Sequence, residues 1–291
     1  MSAPKLSMNA TVTWNANVVD SIRIAKAAGF AGIELQTPWL DPYLDAGFAP
    51  EELVAHLDGL SVSGVGALHE AEPEAFAAQA GRLAALTAAL GGKQMQMCTG
   101  PVDVSVVKDH WEGCLADGDP RYRGAVGWPD REALELTAAN LATAADIAAG
   151  HGLDVYLEPL GWAPVNSTRQ AAWILETINR PNAGLTVDLW HCYVAGETPE
   201  DVASLDPALI KAVHVCDGLP LPAPDTIPDQ AVYRNVWTGG GIIPLQEYVD
   251  AVKSTGYNGW YCAEIFCPKT AQIDSLLVAT ALRANLEVLV S

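Results

Sequence analysis

Four side chains that can bind a metal ion each follow a short apolar segment of the chain. The segments read Val155-Tyr-Leu-Glu158, Leu185-Thr-Val-Asp188, Lys211-Ala-Val-His214 and Trp260-Tyr-Cys-Ala-Glu264. Each segment is typical of a buried β-strand, and a charged side chain at the end of such a strand is costly unless something pairs with it. We therefore expect the four residues to share one site. The alternative is four independent side chains, each bonded to its own loop.

Three carboxylates and one imidazole suit a divalent cation, with Mn²⁺ the expected ion and Mg²⁺ or Co²⁺ as alternatives. A cation that holds neighbouring hydroxyl and carbonyl oxygens of a substrate acidifies the adjacent C–H and stabilises the enediolate. Glu158 and Glu264, on opposite sides of that substrate, would then epimerise it by moving protons at both faces. One glutamate alone would give an aldose–ketose isomerisation, and loss of a β-substituent would give a dehydration or elimination.

The elements that position these residues alternate along the whole chain. Short apolar segments indicate strands, and amphipathic stretches between them indicate helices. Eight such units in about this length predict a single-domain (β/α)₈ TIM barrel over residues 1–291. A doubly wound sheet is the main competitor, but no Gly-x-Gly-x-x-Gly follows the first strand. The predicted strands are 6–14, 31–36, 64–69, 93–98, 153–158, 184–189, 210–215 and 259–265. The predicted helices are 18–28, 50–62, 74–90, 131–150, 168–179, 244–255 and 271–289.

Two connections are longer than a barrel needs. Residues 99–129 follow the fourth strand, and the proline-rich residues 218–241 follow the seventh. Both leave the carboxyl ends of the strands, where barrels of this type build active sites. Long loops of this kind act as lids or substrate clamps, or they decorate the surface.

Composition excludes several classes of protein. The net charge is −19, with only 16 lysines and arginines, so we expect no nucleic-acid partner. The first residues have no signal-peptide pattern, and no apolar stretch approaches the roughly 20 residues of a membrane span. A cytoplasmic protein without membrane contact is the expectation.

The residues around the four candidate ligands resemble a known family. Glu158-Pro-Leu, Asp188-Leu-Trp-His191, His214-Val-Cys-Asp217 and Ala263-Glu264-Ile-Phe look like the xylose isomerase-like TIM barrel superfamily. The similarity is to its sugar (phosphate) isomerase/epimerase branch, which includes ketose 3-epimerases, hydroxypyruvate isomerases and inosose dehydratases. It implies that Glu158, Asp188, His214 and Glu264 are metal ligands and that the two glutamates are also the acid/base residues.

The same resemblance implies substrate contacts for His191, for Glu34 at the end of the second strand, and for Arg234 in the loop after the seventh. Arg234 could instead pair with an acidic neighbour, and Glu34 could bond a nearby loop. Asp217 is a further candidate contact; it could also orient His214 or cap the following turn. The length of the loop that carries Arg234 resembles the dehydratase-like branch, which keeps a lyase as the alternative function.

Other side chains have open roles. His69 and His110 are candidate proton shuttles, although a lone histidine is more often structural. Four tryptophans near strand ends would line a sugar pocket or pack under loops: Trp14, Trp39, Trp162 and Trp237.

Two other functions compete with a sugar isomerase. A barrel endonuclease of the abasic-site type needs more ligand histidines and a basic surface, which six histidines and a charge of −19 do not provide. A binding barrel without chemistry would not need all four ligand positions. The expected partner is an unphosphorylated sugar or keto-sugar, because no glycine-rich phosphate loop is evident. A homo-oligomer is expected, and a hetero-oligomer stays open.

Overall fold

Eight parallel strands close into a barrel in the computed structural model, which describes residues 4–291. Each strand pairs with the next along the chain, and the last pairs with the first. This confirms the predicted (β/α)₈ fold. The strands are β1 Lys5–Asn9, β2 Gly32–Gln36, β3 Ser61–His69, β4 Gln94–Cys98, β5 Asp154–Glu158, β6 Ala183–Asp188, β7 Ile210–Val215 and β8 Trp260–Ala263.

Twelve α-helices surround the barrel within the described residues. All seven predicted helices are present, and five short helices lie in connections where none was predicted. The helices are α1 Val18–Ala28, α2 Thr37–Asp45, α3 Pro50–Leu57, α4 Pro73–Ala89, α5 Val104–Trp111, α6 Asp130–Gly150, α7 Thr168–Ile178, α8 Leu189–Val194, α9 Pro199–Ala203, α10 Gln230–Tyr233, α11 Leu245–Ser254 and α12 Ser275–Val290.

Two predicted elements end five residues earlier in the structure than in the prediction, and several other boundaries differ by smaller amounts. The first strand ends at Asn9 rather than at residue 14, because the Asn9 side chain accepts the Thr11 N–H at 2.9 Å and caps a short 3₁₀ helix, Ala10–Thr13. Helix α3 ends at Leu57 instead of residue 62. Gly59 has a φ of 80° there, a conformation that suits glycine and turns the chain into β3.

The two long loops meet above the carboxyl ends of the strands. Helix α5 lies in the loop after β4, and its Lys108 forms an ion pair with Asp229 of the loop after β7 at 2.5 Å. The first loop is also held from below, where the Trp162 indole N–H donates to the Pro101 carbonyl at 2.9 Å. Both loops therefore cover the predicted active face, while a lid function stays a prediction.

No helix within residues 4–291 is long and apolar enough to cross a membrane.

Candidate metal centre and active site

The four predicted metal ligands come together at the carboxyl end of the barrel. Ligating atoms of Glu158, Asp188, His214 and Glu264 all lie within 4.8 Å of one another, and all four side chains are buried. The Nδ1 atom of His214 is 3.1 Å from Glu158 Oε1, 3.6 Å from Glu264 Oε1 and 3.9 Å from Asp188 Oδ2. One cation could therefore contact three carboxylates and one imidazole nitrogen, as the sequence predicted.

Strand register and helix capping produce this convergence. Asp188 is the last residue of β6 and pairs directly with His214 of β7. Its Oδ1 accepts the His191 N–H at 2.8 Å and thereby caps α8. The cap fixes the carboxylate and leaves Oδ2 on the side of His214.

Glu34 lies next to His214, away from the four-ligand cluster. Its Oε2 is 3.1 Å from His214 Nε2 and accepts the Tyr156 hydroxyl at 2.9 Å. Its Oε1 accepts the side-chain amides of Asn9 at 2.7 Å and Gln36 at 3.1 Å. Protein groups bond to both oxygens, and the predicted substrate contact of Glu34 stays a prediction. Glu34 also fixes the His214 ring with Nδ1 toward the cluster, as carboxylates do behind metal-binding histidines.

A glycine allows the tyrosine to reach Glu34. The Tyr156 ring is fully buried inside the barrel, and its hydroxyl would lie only 2.4 Å from a Cβ added at Gly64. Any side chain at Gly64 would displace the tyrosine and remove one of the bonds that hold Glu34.

The cluster carries an excess of buried negative charge. Burial alone lowers the pKa of His214, but Glu34, Glu158 and Glu264 raise it well above its usual value. Burial, together with Asp188 and Glu158, raises the pKa of Glu264 to about 8 although Arg234 and His214 oppose the shift. The basic side chains of His214 and Arg234 thus face four acidic side chains in a buried site, and a divalent cation fits this donor set.

Arg234 reaches the cluster from the loop after β7. Its guanidinium lies between the rings of Trp190 and Phe266, at 5.1 and 4.4 Å from their centroids. Its Nη2 donates to Glu264 Oε2 and, at 3.3 Å, to Asp188 Oδ2. Arg234 also lines a cavity that Glu158 and Glu264 line, which we call the central cavity. Its predicted substrate contact therefore stays a prediction that the position allows.

His191 is buried beside the same cavity. Its Nδ1 accepts the Gly161 N–H at 2.8 Å, which leaves the proton on Nε2. Burial lowers the pKa of His191, so the ring is neutral. The rings of Trp162 and Trp190 pack edge to face against the His191 ring, with centroid distances of 5.5 and 4.9 Å. A neutral N–H donor at the cavity wall is consistent with the predicted substrate contact.

Asp217 bonds to the backbone of its own loop, and its predicted substrate contact stays a prediction. Its carboxylate accepts four backbone N–H groups: Gly218 at 2.8 Å, Gly239 and Gly241 at 2.9 Å, and Ile243 at 3.2 Å. A Cβ at Gly241 would lie 2.2 Å from Asp217 Oδ1. Asp217 therefore closes the loop that carries the arginine, and it neither contacts the cavity nor orients His214.

Sequence reasoning missed several amides around the two glutamates. Gln96 donates to Glu158 Oε2 and accepts the Gln36 amide at 2.9 Å. Asn9 donates to Glu264 Oε1 at 3.3 Å. Gln96 stands in the otherwise apolar segment Met95–Cys98, and a polar side chain inside a buried strand was the available signal.

The remaining candidates divide between the cavity wall and the surroundings. The cavity has a volume of about 250 Å³. It is lined by Glu158, Glu264 and His69 and by three of the four tryptophans: Trp14, Trp39 and Trp162. His110 and Trp237 are absent from the wall within the described residues. The volume is below the range of about 300–1,000 Å³ for drug-sized ligands and suits a smaller molecule.

Comparison with known proteins agrees with this architecture. A profile of the xylose isomerase-like TIM barrel family matches residues 22–289, and the chain belongs to this family. The fold is similar to that of the IOLI protein in a crystal structure with a bound zinc atom, with a TM-score of 0.82. The two sequences are 21% identical, and the match covers 99% of this chain and 98% of that one.

Curated relatives include proteins with different named activities. An inosose isomerase of Halalkalibacterium halodurans is 30% identical over 145 residues, 49% of this chain and 50% of the relative. A putative hydroxypyruvate isomerase of Streptomyces coelicolor is 25% identical over 252 residues, 81% of each chain. A 3-dehydroshikimate dehydratase of Pseudomonas aeruginosa is 30% identical over 132 residues, 45% of this chain and 20% of the relative. The chain thus spans about half the length of the inosose isomerase that it matches.

Proposed function

We propose that this protein is a divalent-metal-dependent isomerase or epimerase of a sugar or related polyhydroxy ketone. The observation that carries the proposal is the convergence of Glu158, Asp188, His214 and Glu264 beside a sugar-sized cavity. The names of two relatives, an inosose isomerase and a putative hydroxypyruvate isomerase, support the same reaction class.

Glu158, Asp188, His214 and Glu264 would hold the cation. Three oxygen donors favour Mn²⁺, with Mg²⁺ and Co²⁺ as alternatives, and the zinc of the related IOLI structure adds a fourth candidate. When bound, the cation supplies positive charge that stabilises the enediolate form of the substrate.

Glu158 and Glu264 are the residues that would move the protons. They lie at the ends of β5 and β8, three strands apart around the barrel. Gln96 holds one glutamate and Asn9 with Arg234 hold the other, so each carboxylate keeps a fixed orientation. Transfer by both gives epimerisation, and transfer by one gives aldose–ketose isomerisation.

His191 and Arg234 are the residues we assign to the substrate. The neutral His191 ring has an Nε2–H that can donate to a hydroxyl, and Arg234 carries a positive charge beside Glu264. Oxygens of the substrate would accept from both groups, which orients the carbon that exchanges its proton.

A lyase on the same scaffold is the second candidate. The similarity to a dehydratase over 132 residues favours it, as does the long loop after β7. Both reactions begin with proton removal next to a ketone, and only the lyase loses a substituent. A sugar partner, a cytoplasmic location and a homo-oligomer remain predictions.

Metal content measured by mass spectrometry tests the site. The wild-type protein should retain about one Mn, Mg, Co or Zn per chain, and His214→Ala should lose it; His151→Ala, at the exposed end of α6, is the matched control. Equal metal in His214→Ala and wild type, or none in wild type after incubation with Mn²⁺, would refute the ligand set.

Solvent exchange tests the reaction. In D₂O, a ketose or 3-keto-sugar substrate should gain deuterium at the carbon next to the carbonyl without losing a substituent. Release of water or another group in place of exchange would select the lyase, and the absence of both would exclude enediolate chemistry for the substrates tested.

A further inference from the structure

An open groove lies beside the central cavity. Trp14, Pro38 and Trp39 line both spaces, so the two are adjacent. The groove has a volume of about 730 Å³, against about 250 Å³ for the cavity. Its other walls come from the loop before α1, from α2 and from the residues after α2. We call this space the aromatic groove; it is lined by residues 14–20, Pro38, Trp39, Pro42, Tyr43, Ala46, Phe48 and His56.

Aromatic rings follow the path from the cavity into the groove. Phe266, which packs on the Arg234 guanidinium, is 6.1 Å from Trp14 between ring centroids. Trp14 is 5.6 Å from Trp39 in an edge-to-face arrangement. Farther along the groove, Tyr43 and Phe48 stack at 4.7 Å with an interplanar angle of 19°. Phe266, Trp14 and Trp39 thus form one aromatic cluster at the active site, and Tyr43 and Phe48 form a second one on the groove wall.

Trp14 and Phe48 are the exposed rings of the groove, whereas Trp39 and Tyr43 are partly buried and pack against the core. Leu40 is the buried residue of α2, and it anchors that helix. Trp14 and Phe48 are 50% and 48% exposed. Clusters of half-exposed aromatics beside a cavity are typical of ligand sites, because a flat ligand removes their surface from water.

The polar groups of the groove offer little charge to a ligand, although His56 also lines it. Within the described residues, no lysine or arginine lines it, and Asp20 is its single acidic residue. The Asp20 carboxylate is paired with Arg23 at 2.9 Å and accepts the Asn17 amide at 3.0 Å. The Asn15 amide donates to the Ala271 carbonyl at 2.6 Å. Few donors are left for a phosphate or for the hydroxyls of a second sugar.

We propose that the aromatic groove binds the uncharged aromatic aglycone of a glycoside whose sugar ring occupies the central cavity. The proposal rests on the proposed function for its sugar half and on the groove itself for its aromatic half. The substrate would then be a keto-glycoside rather than a free ketose. The small cavity fits one sugar ring, and the larger groove accepts what is attached to it.

Isothermal titration with two glucosides tests the groove without requiring turnover. Phenyl β-D-glucoside should bind wild-type protein at least about tenfold more tightly than methyl β-D-glucoside, because only the phenyl group reaches the groove. Phe48→Ala and Tyr43→Ala should each reduce this preference to about threefold or less. Both side chains are at least partly exposed, and thermal melting checks that the variants fold. Trp173→Ala, which removes a 40% exposed aromatic on the outer helix α7, is the control and should keep the full preference.

The outcomes separate the two proposals. Equal affinity for both glucosides, no binding of either, or a phenyl preference that survives both groove variants would overturn the aglycone site. If the phenyl preference holds but no keto-sugar exchanges deuterium, the aglycone site stands and the isomerase fails. If exchange occurs without any phenyl preference, the reverse conclusion follows.

Discussion

The two ends of the same barrel treat charged side chains differently. At the amino end of β5, Asp154 pairs with Lys211 of β7 at 2.9 Å, and their side chains are 41% and 19% exposed. At the carboxyl ends of these strands, Glu158 and His214 belong to a cluster with an excess of carboxylates, and both are almost fully buried. Strand β5 thus begins with a carboxylate that is partly exposed and paired, and it ends with one that is buried in the cluster.

This comparison shows how charged residues with a structural role can be distinguished from those with a functional role. The charges of Asp154 and Lys211 at the amino end are matched one to one and partly hydrated, which costs little and contributes little. Those at the carboxyl end are desolvated and unmatched, a state that is maintained only where an ion or a reaction compensates for it. Residue type alone does not distinguish Asp154 from Glu158; the balance of charge and the exposure do.

The largest effect is expected from the acid/base pair. Glu264→Gln and Glu158→Gln keep the shape of the side chain but cannot carry the proton, so each should lower kcat by about 10²- to 10⁴-fold. Deuterium exchange measures this loss, and circular dichroism checks the fold. Glu135→Gln, on the exposed side of α6, should leave exchange unchanged. Activity within a few-fold of wild type in either variant would refute the two-carboxylate mechanism.

The role of Glu34 predicts the next largest effect. Glu34→Gln removes the negative charge that fixes His214, so metal affinity should fall by about 10- to 100-fold. Tyr156→Phe removes one bond to Glu34 at 2.9 Å but keeps the charge, and it should cost less than about tenfold. Competition with a fluorescent chelator measures both constants. If Glu34→Gln bound metal like wild type, Glu34 would have no part in orienting the histidine.

Glu70 provides an intermediate case, a buried carboxylate near the active end but outside the cluster. Burial raises its pKa to about 7 from 4.5, although bonds from Thr137 and Gly100 oppose the shift. Between pH 4.5 and pH 7, Glu70 therefore keeps a proton in the folded state that it has released in the unfolded state. The stability that the neutral form provides is full below pH 4.5 and is lost as the pH rises to 7, a change of at most about 3 kcal/mol.

Urea unfolding at pH 4.5 and pH 7.5 measures this contribution. Glu70→Gln should abolish its share of the pH dependence, since an amide stays neutral throughout. Glu72→Gln, two residues farther on and exposed, should retain the wild-type dependence. The same pH dependence in Glu70→Gln as in wild type would show that Glu70 is ionised in the folded protein.

The smallest effect is expected at the amino end. Lys211→Met keeps the apolar stem that packs over Gly184 and removes the charge that pairs with Asp154. The free energy of unfolding should change by no more than about 1 kcal/mol, and metal content should not change. A loss of several kcal/mol in the same unfolding assay would mean that this pair, too, is an essential buried interaction.

The sequence predicted much of the fold because the alternation of strands and helices is a local pattern. Apolar segments such as Val155–Leu157 show the strands directly, and glycines such as Gly29, with a φ of 84° at the end of α1, mark where helices end. The short helices α2, α5 and α8–α10 escaped notice because their stability depends on packing over the strand ends rather than on periodicity.

For the site, too, part of the arrangement follows from the local sequence pattern and part only from tertiary packing. Because parallel strands of a barrel present their carboxyl ends at one face, the sequence by itself determined that Glu158, Asp188, His214 and Glu264 would meet. Only the tertiary structure decided the partners of Glu34 and Asp217. Glu34 bonds to His214, 180 residues away, and Asp217 is held by backbone N–H groups, whose pairing the order of side chains does not show. The tertiary structure also placed Tyr43 and Phe48 beside Trp14, since contacts between distant segments leave no periodic trace in the chain.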